Sequence, residues 1–361
     1  MSQRIGFIST NLSLGGAQKW ISSISNLLEL RGYDVHVIIF DPTVEISLSK
    51  KVKLHFLTTK NTWYKGILKK LILARKLRIL TDKIGEFDLL ISTLPYADII
   101  TSLSGIKPVH YRIANTLSSE VNALSGFKAK RRLFRYRKVY KDKNLIAVSQ
   151  GVKYDLVENF GLNEKKITTI YNPVDKRYLV YRSDQICENM PDIQYLIHAG
   201  RFTKQKRYDI LLDAFKLYLE STEPDFPRKL LLMTKENQVL TSMIFSRGLE
   251  KYVDVIGFKE NPFPWYRRAS CMILSSDHEG MPNVILEAIC LGTPVASTDC
   301  PSGPKEILGE TYPECLCPVG DAFALSKSIA KATKLKKNYK NHIIDLFQPD
   351  RSLEKIINLC K

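Results

Sequence analysis

Two glutamates, Glu279 and Glu287, flank what reads as a helix start in SSDHEGMPNVILEAICLGTP, residues 275–294. Pro282 lacks an N–H and suits a first helical turn, NVILEAIC has a helical apolar period, and Gly292 followed by Pro294 closes it. The preceding CMILSS reads as a buried strand. DHEGM is then the loop at that strand's C-terminal end, where open α/β sheets bind their ligands. First-turn N–H groups favour an anion such as a diphosphate, by about 0.3–1 kcal/mol for an exposed charge and ~2 kcal/mol when partly buried. Carboxylates accept hydrogen bonds from hydroxyl pairs, which a sugar ring and a ribose both offer. A phosphate on the N–H groups with diols on the two glutamates describes a nucleotide sugar. On spacing alone, a surface glutamate and a glutamate capping its own helix would look the same. Asp277, His278 and Glu279 are consecutive, so they do not share one face and do not suggest a metal site.

The elements that must position these residues alternate between strand and helix patterns, which predicts an α/β fold with parallel sheets. One series runs from RIGFIST through the amphipathic AQKWISSISNLLELRG to KNLIAVS, near residue 149. A fresh series opens at IQYLIHAGR (193–201) and continues through YDILLDAFKLYLE, KLLLMT, VDVIGF, CMILSS, NVILEAICLG and PVAST. Between them, residues 171–192 show no sustained period and contain two prolines, so the linker is placed there. At 361 residues the chain exceeds one ordinary core and fits two Rossmann-like domains. The expected boundaries are 1–175 together with the helical C-terminus at about 349–361, and 176–348.

Charge is the informative part of the composition. Lys and Arg number 54 against 37 Asp and Glu, a net +17. Residues 60–83 hold eight basic groups against Asp82, and residues 128–143 nine against Asp142, so +7 and +8 of the excess lie in two segments. In the first, Tyr64, Ile67, Leu68, Leu71 and Ile72 fall on one side and Lys65, Lys69, Lys70 and Lys76 largely on the other. In the second, aromatics alternate with Lys130, Arg131, Arg132 and Arg135. Such segments favour anionic membrane surfaces. Each would equally read as a helix packed by its apolar residues on a sheet, with a solvated basic face. Nucleic acid suits the charge, but no recognisable binding module accompanies it. The N-terminus enters a strand pattern at once, so no secretory signal is expected, and no run approaches the length of a membrane span. Seven scattered cysteines predict buried thiols in a reducing cytosol.

The motif EGMPNVILEAICLGTPV resembles the donor-site signature of retaining glycosyltransferases of family 4. NLSLGGAQKWISSISNLLELRGYDVHVI is similar to that family's N-terminal glycine loop and helix, and AVSQGVKYDLVENFGLNEKKITTIYNPVD to the segment before its interdomain linker. AGRFTKQKRYDILLDAF is similar to its basic donor motif, and CPSGPKEIL and CPVGD to the region downstream, so the resemblance covers nearly the whole chain. It implies the GT-B fold, two Rossmann-like domains facing each other across a cleft with the C-terminal helix returning to the N-terminal domain.

The resemblance also implies roles. Glu279 would face the donor sugar's hydroxyls, with Gly280, Met281, Pro282, Asn283 and Val284 holding sugar and diphosphate through backbone amides. Glu287 would bind the ribose, Arg201 and Lys206 would neutralise the diphosphate as it departs, and Gly257 and Phe258 would touch the base. Gly15 and Gly16 would admit the donor phosphate and acceptor. The sequence departs from the family in three places. Where members carry a histidine facing the sugar, this chain reads VHYRIANTLS; His110 falls too early, within the strand, and Arg112 or Asn115 is the candidate replacement on the acceptor side. A glycine-rich turn is replaced by TKENQ, and GETYPECLCPVGD lacks a glycine. No Asp-x-Asp motif is present, so no metal and no cofactor are expected. The implied activity is retaining transfer of a hexose or N-acetylhexosamine from a nucleotide sugar, expected to be a UDP-sugar. The acceptor would be a saccharide or lipid-linked saccharide in bacterial surface polysaccharide or lipopolysaccharide biosynthesis. The expected location is cytoplasmic, peripheral on the inner face of the membrane, with no nucleic-acid partner. Two alternatives stand beside it: a sugar-nucleotide epimerase of the same fold, and a non-catalytic membrane- or nucleic-acid-binding protein.

Overall fold

The structure, a computed structural model, describes residues 3–13, 15–58, 66–187, 190–335 and 342–360. The chain divides into two compact units, Met1–Pro173 with Pro349–Lys361, and Val174–Gln348.

Parallel strands covered on both faces carry near-continuous apolar runs, as β1 (Arg4–Ser9), β2 (Asp34–Ile39) and β4 (Leu89–Thr93) largely do; β3 (Lys53–Phe56), β5 (Val109–Ile113), β6 (Asn144–Ala147) and β7 (Ile167–Thr169) complete the first unit's strands, with β3 and β7 at the edges. They form one parallel sheet in the order β3-β2-β1-β4-β5-β6-β7, with Ile5 facing Val35 on one side and Leu89 on the other. Helix Gly16–Leu30 lays Trp20, Ile21, Ile24 and Leu28 on this sheet at helical spacing. The terminal helix Pro349–Ile357 adds Leu353 and Ile356 to the same core.

The second unit repeats the plan with β8 (Tyr195–Ala199), β9 (Lys229–Met233), β10 (Val253–Val255), β11 (Cys271–Leu274), β12 (Val295–Thr298) and β13 (Leu316–Cys317), ordered β10-β9-β8-β11-β12-β13. Strand order reverses between β1 and β4 in one sheet and between β8 and β11 in the other. Loops leaving the two strands at such a reversal diverge to opposite sides, which opens a crevice at their C-terminal ends. Cys271, Cys290, Cys300, Cys315 and Cys317 are free thiols within the second unit's interior, as the composition suggested.

Two local features were not legible in the sequence. The segment placed as linker contains helix Lys176–Ser183, capped by the Asp175 side chain accepting from the Tyr178 N–H. It buries only Leu179 and Ser183 over two turns, too little for a visible period. In helix Gly66–Ile84 the residues that pack inward are Leu73, Ala74 and Leu77, whereas Ile67, Leu68 and Leu71 stay exposed and Lys69 and Lys70 are half-buried. The apolar side of its first turns therefore extends past the core that the later turns cover. Tyr64 and Lys65 lie outside the described residues.

A buried polar cluster gives the first unit a pH dependence. His36 Nδ1 lies 2.9 Å from His55 Nε2, with the rings parallel, and His36 Nε2 is 3.2 Å from Asp34 Oδ1. Burial lowers the pKa of both histidines. Burial also opposes ionisation of Asp34, but Lys53, Arg4 and His36 outweigh it and hold that carboxyl well below the usual range. The fold therefore prefers neutral imidazoles beside an ionised Asp34. Their contribution is intact above the unfolded histidine value and is lost as pH falls through it, while Asp34 stays charged. The thermal midpoint should accordingly fall between about pH 7.5 and 5.5, and His55→Gln should flatten the fall. Melts at the two pH values check this; identical midpoints would contradict it.

Candidate active site

In the second unit's crevice, the loop leaving β8 (residues 200–207) is stitched to the loop leaving β11 (residues 275–282). Ser275 Oγ donates to the Lys206 carbonyl at 2.7 Å, Gln205 Nε2 to the His278 carbonyl at 2.6 Å, and the Asp277 N–H to the Gln205 carbonyl at 2.9 Å. Arg207 holds a left-handed backbone (φ +46°), uncommon for a residue with a side chain. Its guanidinium bridges Asp209 and Asp277, each at 2.8 Å, and these carboxylates hold it charged. Within this frame Lys206 Nζ meets Glu279 Oε1 at 2.7 Å. Glu279 is only 8% exposed, so the charge-assisted bond is substantially shielded. Arg201 stands exposed at the start of the same loop.

Behind the lysine lies a group that sequence reading passed over. His198 in β8 is fully buried, its Nδ1 is 3.0 Å from the Ile273 carbonyl, and Tyr208 packs edge-on against its ring. Burial, aided by the Lys206 charge, pushes its pKa down to about 4, so the imidazole is neutral with its proton on Nδ1. Tyr208 Oη donates to the Gly200 carbonyl at 2.8 Å. A Cβ on Gly200 would sit 3.3 Å from Lys206 Cε, so the glycine leaves room for the lysine stem. A strand histidine carries no sequence signal that separates it from core; Arg207 and Gln205 were likewise missed because their partners lie about 70 residues away.

Helix Asn283–Cys290 starts directly after this loop, with Pro282 as N-cap and no side-chain cap bond. Gly280, Met281 and Pro282 are buried, and Asn283, Val284 and Glu287 half-buried. Glu287 lies near Tyr266, whose phenol burial pushes up and Glu287 pushes further. The loop after β12 supports the turn from below: the Glu279 N–H donates to the Pro301 carbonyl at 3.2 Å, and Gly303 (φ +100°) packs on the proline. A Cβ there would lie 2.4 Å from Pro282 Cδ. Gly303→Ala should cost about 1–3 kcal/mol through overpacking, and more through the backbone. A lowered thermal midpoint together with weakened nucleotide binding checks this; an unchanged pair of values would contradict it.

The other predicted site residues are placed as follows. Gly257 (φ +68°) and exposed Phe258 follow β10. In TKENQ, Asn237 caps helix Gln238–Phe245 by accepting from the Leu240 N–H. In the first unit, Gly15 is the N-cap of helix Gly16–Leu30. His110 sits inside β5, half-buried. Arg112 is interior, 1% exposed: its guanidinium stacks 4.1 Å from the Trp20 ring centre, Nη2 donates to Asn172 Oδ1 at 2.6 Å, and Nη1 is 3.5 Å from Thr93 Oγ1. Such a residue positions the glycine-loop helix and does not offer itself as a surface contact. Asn115 is half-buried, with Nδ2 donating to Glu120 Oε1 at 3.3 Å. Among the described residues no three His, Cys, Asp or Glu side chains gather as a metal site, and no helix is long and apolar enough to cross a membrane.

Residues 14–178 match the family model Glycosyltransferase Family 4, and residues 193–334 match Glycosyl transferases group 1. The chain is similar to the N-acetylgalactosamine-N,N'-diacetylbacillosaminyl-diphospho-undecaprenol 4-alpha-N-acetylgalactosaminyltransferase of Campylobacter jejuni, 25% identical over 353 residues that cover 94% of this chain and 93% of that protein. It is 28% identical over 178 residues to the lipopolysaccharide 1,6-galactosyltransferase of Escherichia coli, covering 45% of each. HepE of Anabaena, solved with UDP and glucose, superposes with a TM-score of 0.71 at 18% identity over 99% of this chain and 98% of that one, a likeness of fold alone.

Proposed function

The chain belongs to the family 4 type of glycosyltransferases, with the two α/β units of the GT-B fold, and from this we propose that its second unit holds a UDP-sugar for retaining transfer. The observation that carries the reading is the shielded Lys206–Glu279 pair, 2.7 Å long, beside the N-terminus of helix Asn283–Cys290. A cation, a carboxylate and the N-terminal end of a helix dipole converge there, the first and last for the diphosphate and the carboxylate for the sugar hydroxyls.

Donor binding exchanges partners within the pair: Lys206 turns to the diphosphate, and Glu279 accepts from the sugar's hydroxyls. Glu287 takes the ribose diol, and Phe258 lies against the base. The bond between the sugar's anomeric carbon and the β-phosphate oxygen then breaks, and the electron pair leaves with UDP. The acceptor hydroxyl bonds to the same face of that carbon and passes its proton to the departing phosphate oxygen. Lys206 and Arg201 stabilise the growing negative charge, which is the task a metal performs elsewhere. The sugar is a hexose or N-acetylhexosamine, and the acceptor a saccharide or lipid-linked saccharide of the bacterial surface. The names of the Campylobacter and Escherichia relatives support that choice. We place the reaction at the cytoplasmic face of the membrane.

The test is the anomeric configuration of the product, read from NMR couplings, with turnover followed in chelator. An α-linked product from an α-linked donor at undiminished rate is expected. A β-linked product would overturn retention, and loss of turnover restored by a divalent ion would overturn metal independence.

A further inference from the structure

Two helices distant in sequence are brought together by a third in the first unit. Helices Gly66–Ile84 and Gly126–Tyr140 both pack against helix Pro95–Ser104. Lys70 lies close enough to Arg135 for the guanidinium to add to the effect of burial on its pKa. On helix Gly126–Tyr140, Phe127, Lys130, Arg131, Phe134 and Lys138 recur at the spacing of a single helical face. That face is turned outward, with Phe127 77% and Phe134 70% exposed, while Tyr136, Val139 and Tyr140 pack inward. Helix Gly66–Ile84 leaves Ile67 76% exposed, with Leu68 and Leu71 more than half exposed.

Large apolar side chains scattered singly on a surface need no explanation, but five on two helices rich in cations do. Aliphatic and phenylalanine side chains set among lysines and arginines are the composition of a helix lying in a lipid headgroup layer. Ile67, Leu68 and Leu71 offer nothing to a nucleic acid, whose bases stack on aromatic rings.

We propose that Ile67, Leu68, Leu71, Phe127 and Phe134 insert into an anionic lipid surface, which the exposed Lys130, Arg131 and Lys138 hold by charge, Lys69 and Lys70 being half-buried. The surface rests on the membrane-proximal acceptor of the preceding reading and assigns the residues that keep the enzyme there. It also revises which cations face lipid. Arg132 and Arg135 are half-buried, and Arg132 Nη1 donates to Tyr136 Oη at 3.3 Å and lies 3.9 Å from Glu120. Attachment then has two parts, a charge-dependent one that salt weakens and an apolar one that survives salt.

The test uses the full chain with Phe127→Trp or Phe134→Trp, against vesicles of phosphatidylcholine alone or mixed with phosphatidylglycerol. Blue-shifted emission, quenched by brominated acyl chains, is expected with the anionic vesicles only. Phe245→Trp, on the second unit and similarly exposed, should not shift. Phe127→Ser with Phe134→Ser should weaken salt-resistant vesicle binding at least about tenfold. Lys130→Glu with Arg131→Glu should weaken low-salt binding at least about tenfold. No shift with anionic vesicles, an equal shift at Phe245, or binding to single-stranded RNA in place of vesicles would overturn the proposal. UDP release with a water-soluble acceptor separates the two readings. Lost vesicle binding with intact release supports the surface, and retained vesicle binding with no release from any donor sinks the transferase reading while the surface stands.

Discussion

Glu279→Gln lowers kcat for sugar transfer by about 10²–10³-fold and leaves the chain folded. The substitution keeps the side chain's shape and removes its charge. Glutamine can still accept a hydroxyl hydrogen bond, but its NH2 group presents a donor where the sugar offers another, and the second carboxylate oxygen is gone. In the proposed role the carboxylate grips hydroxyls as the ring flattens and becomes positive, so most of the loss should fall on kcat rather than KM. Steady-state UDP release with the donor the enzyme uses gives the number, and a thermal melt gives the control. A kcat within about threefold of the parent would sink the assignment.

Lys206→Ala should lower kcat by a similar ~10²–10³-fold, since it removes a positioned cation from the leaving diphosphate. It should also destabilise the second unit. Glu279, 11% exposed by its side chain, is left without the ammonium that now lies 2.7 Å away. Breaking a fully buried pair in this way costs about 3–5 kcal/mol. Here both partners touch solvent, so about 1–3 kcal/mol is expected. The double variant Lys206→Ala with Glu279→Gln carries the distinctive signature. It should recover part of the lost stability and be only slightly less active than the worse single variant, because the two residues act as a unit. Strictly additive losses in melts and rates would contradict the coupling.

The elements around Glu279 were legible because the motif is local: a buried strand, a loop with Glu279, and a proline-started helix read in one stretch. The pair itself was not, since Lys206 and Glu279 are 73 residues apart and meet only because β8 and β11 are neighbours. Sequence reading gave them separate roles and missed that each neutralises the other. Arg112 shows the same limit from the opposite side. Its position at the end of β5 was visible, but Trp20 and Asn172, which enclose it, are brought up by tertiary packing. For helix Gly66–Ile84, periodicity identified an apolar side but not which turns have a core beneath them. The exposed Ile67, Leu68 and Leu71, which the sequence left open between a packed face and a lipid-facing one, are the outcome.

UDP binding to the parent, Lys206→Ala and Glu279→Gln, titrated calorimetrically, tests the donor-site assignment most directly because it requires no acceptor. On the proposed reading Lys206 serves the diphosphate and Glu279 the sugar, so the two variants should separate. Lys206→Ala should weaken UDP at least about tenfold, and Glu279→Gln should leave it unchanged or tighter, since the lysine is freed from its partner. Equal weakening by both, or UDP binding indifferent to Lys206, would contradict the account.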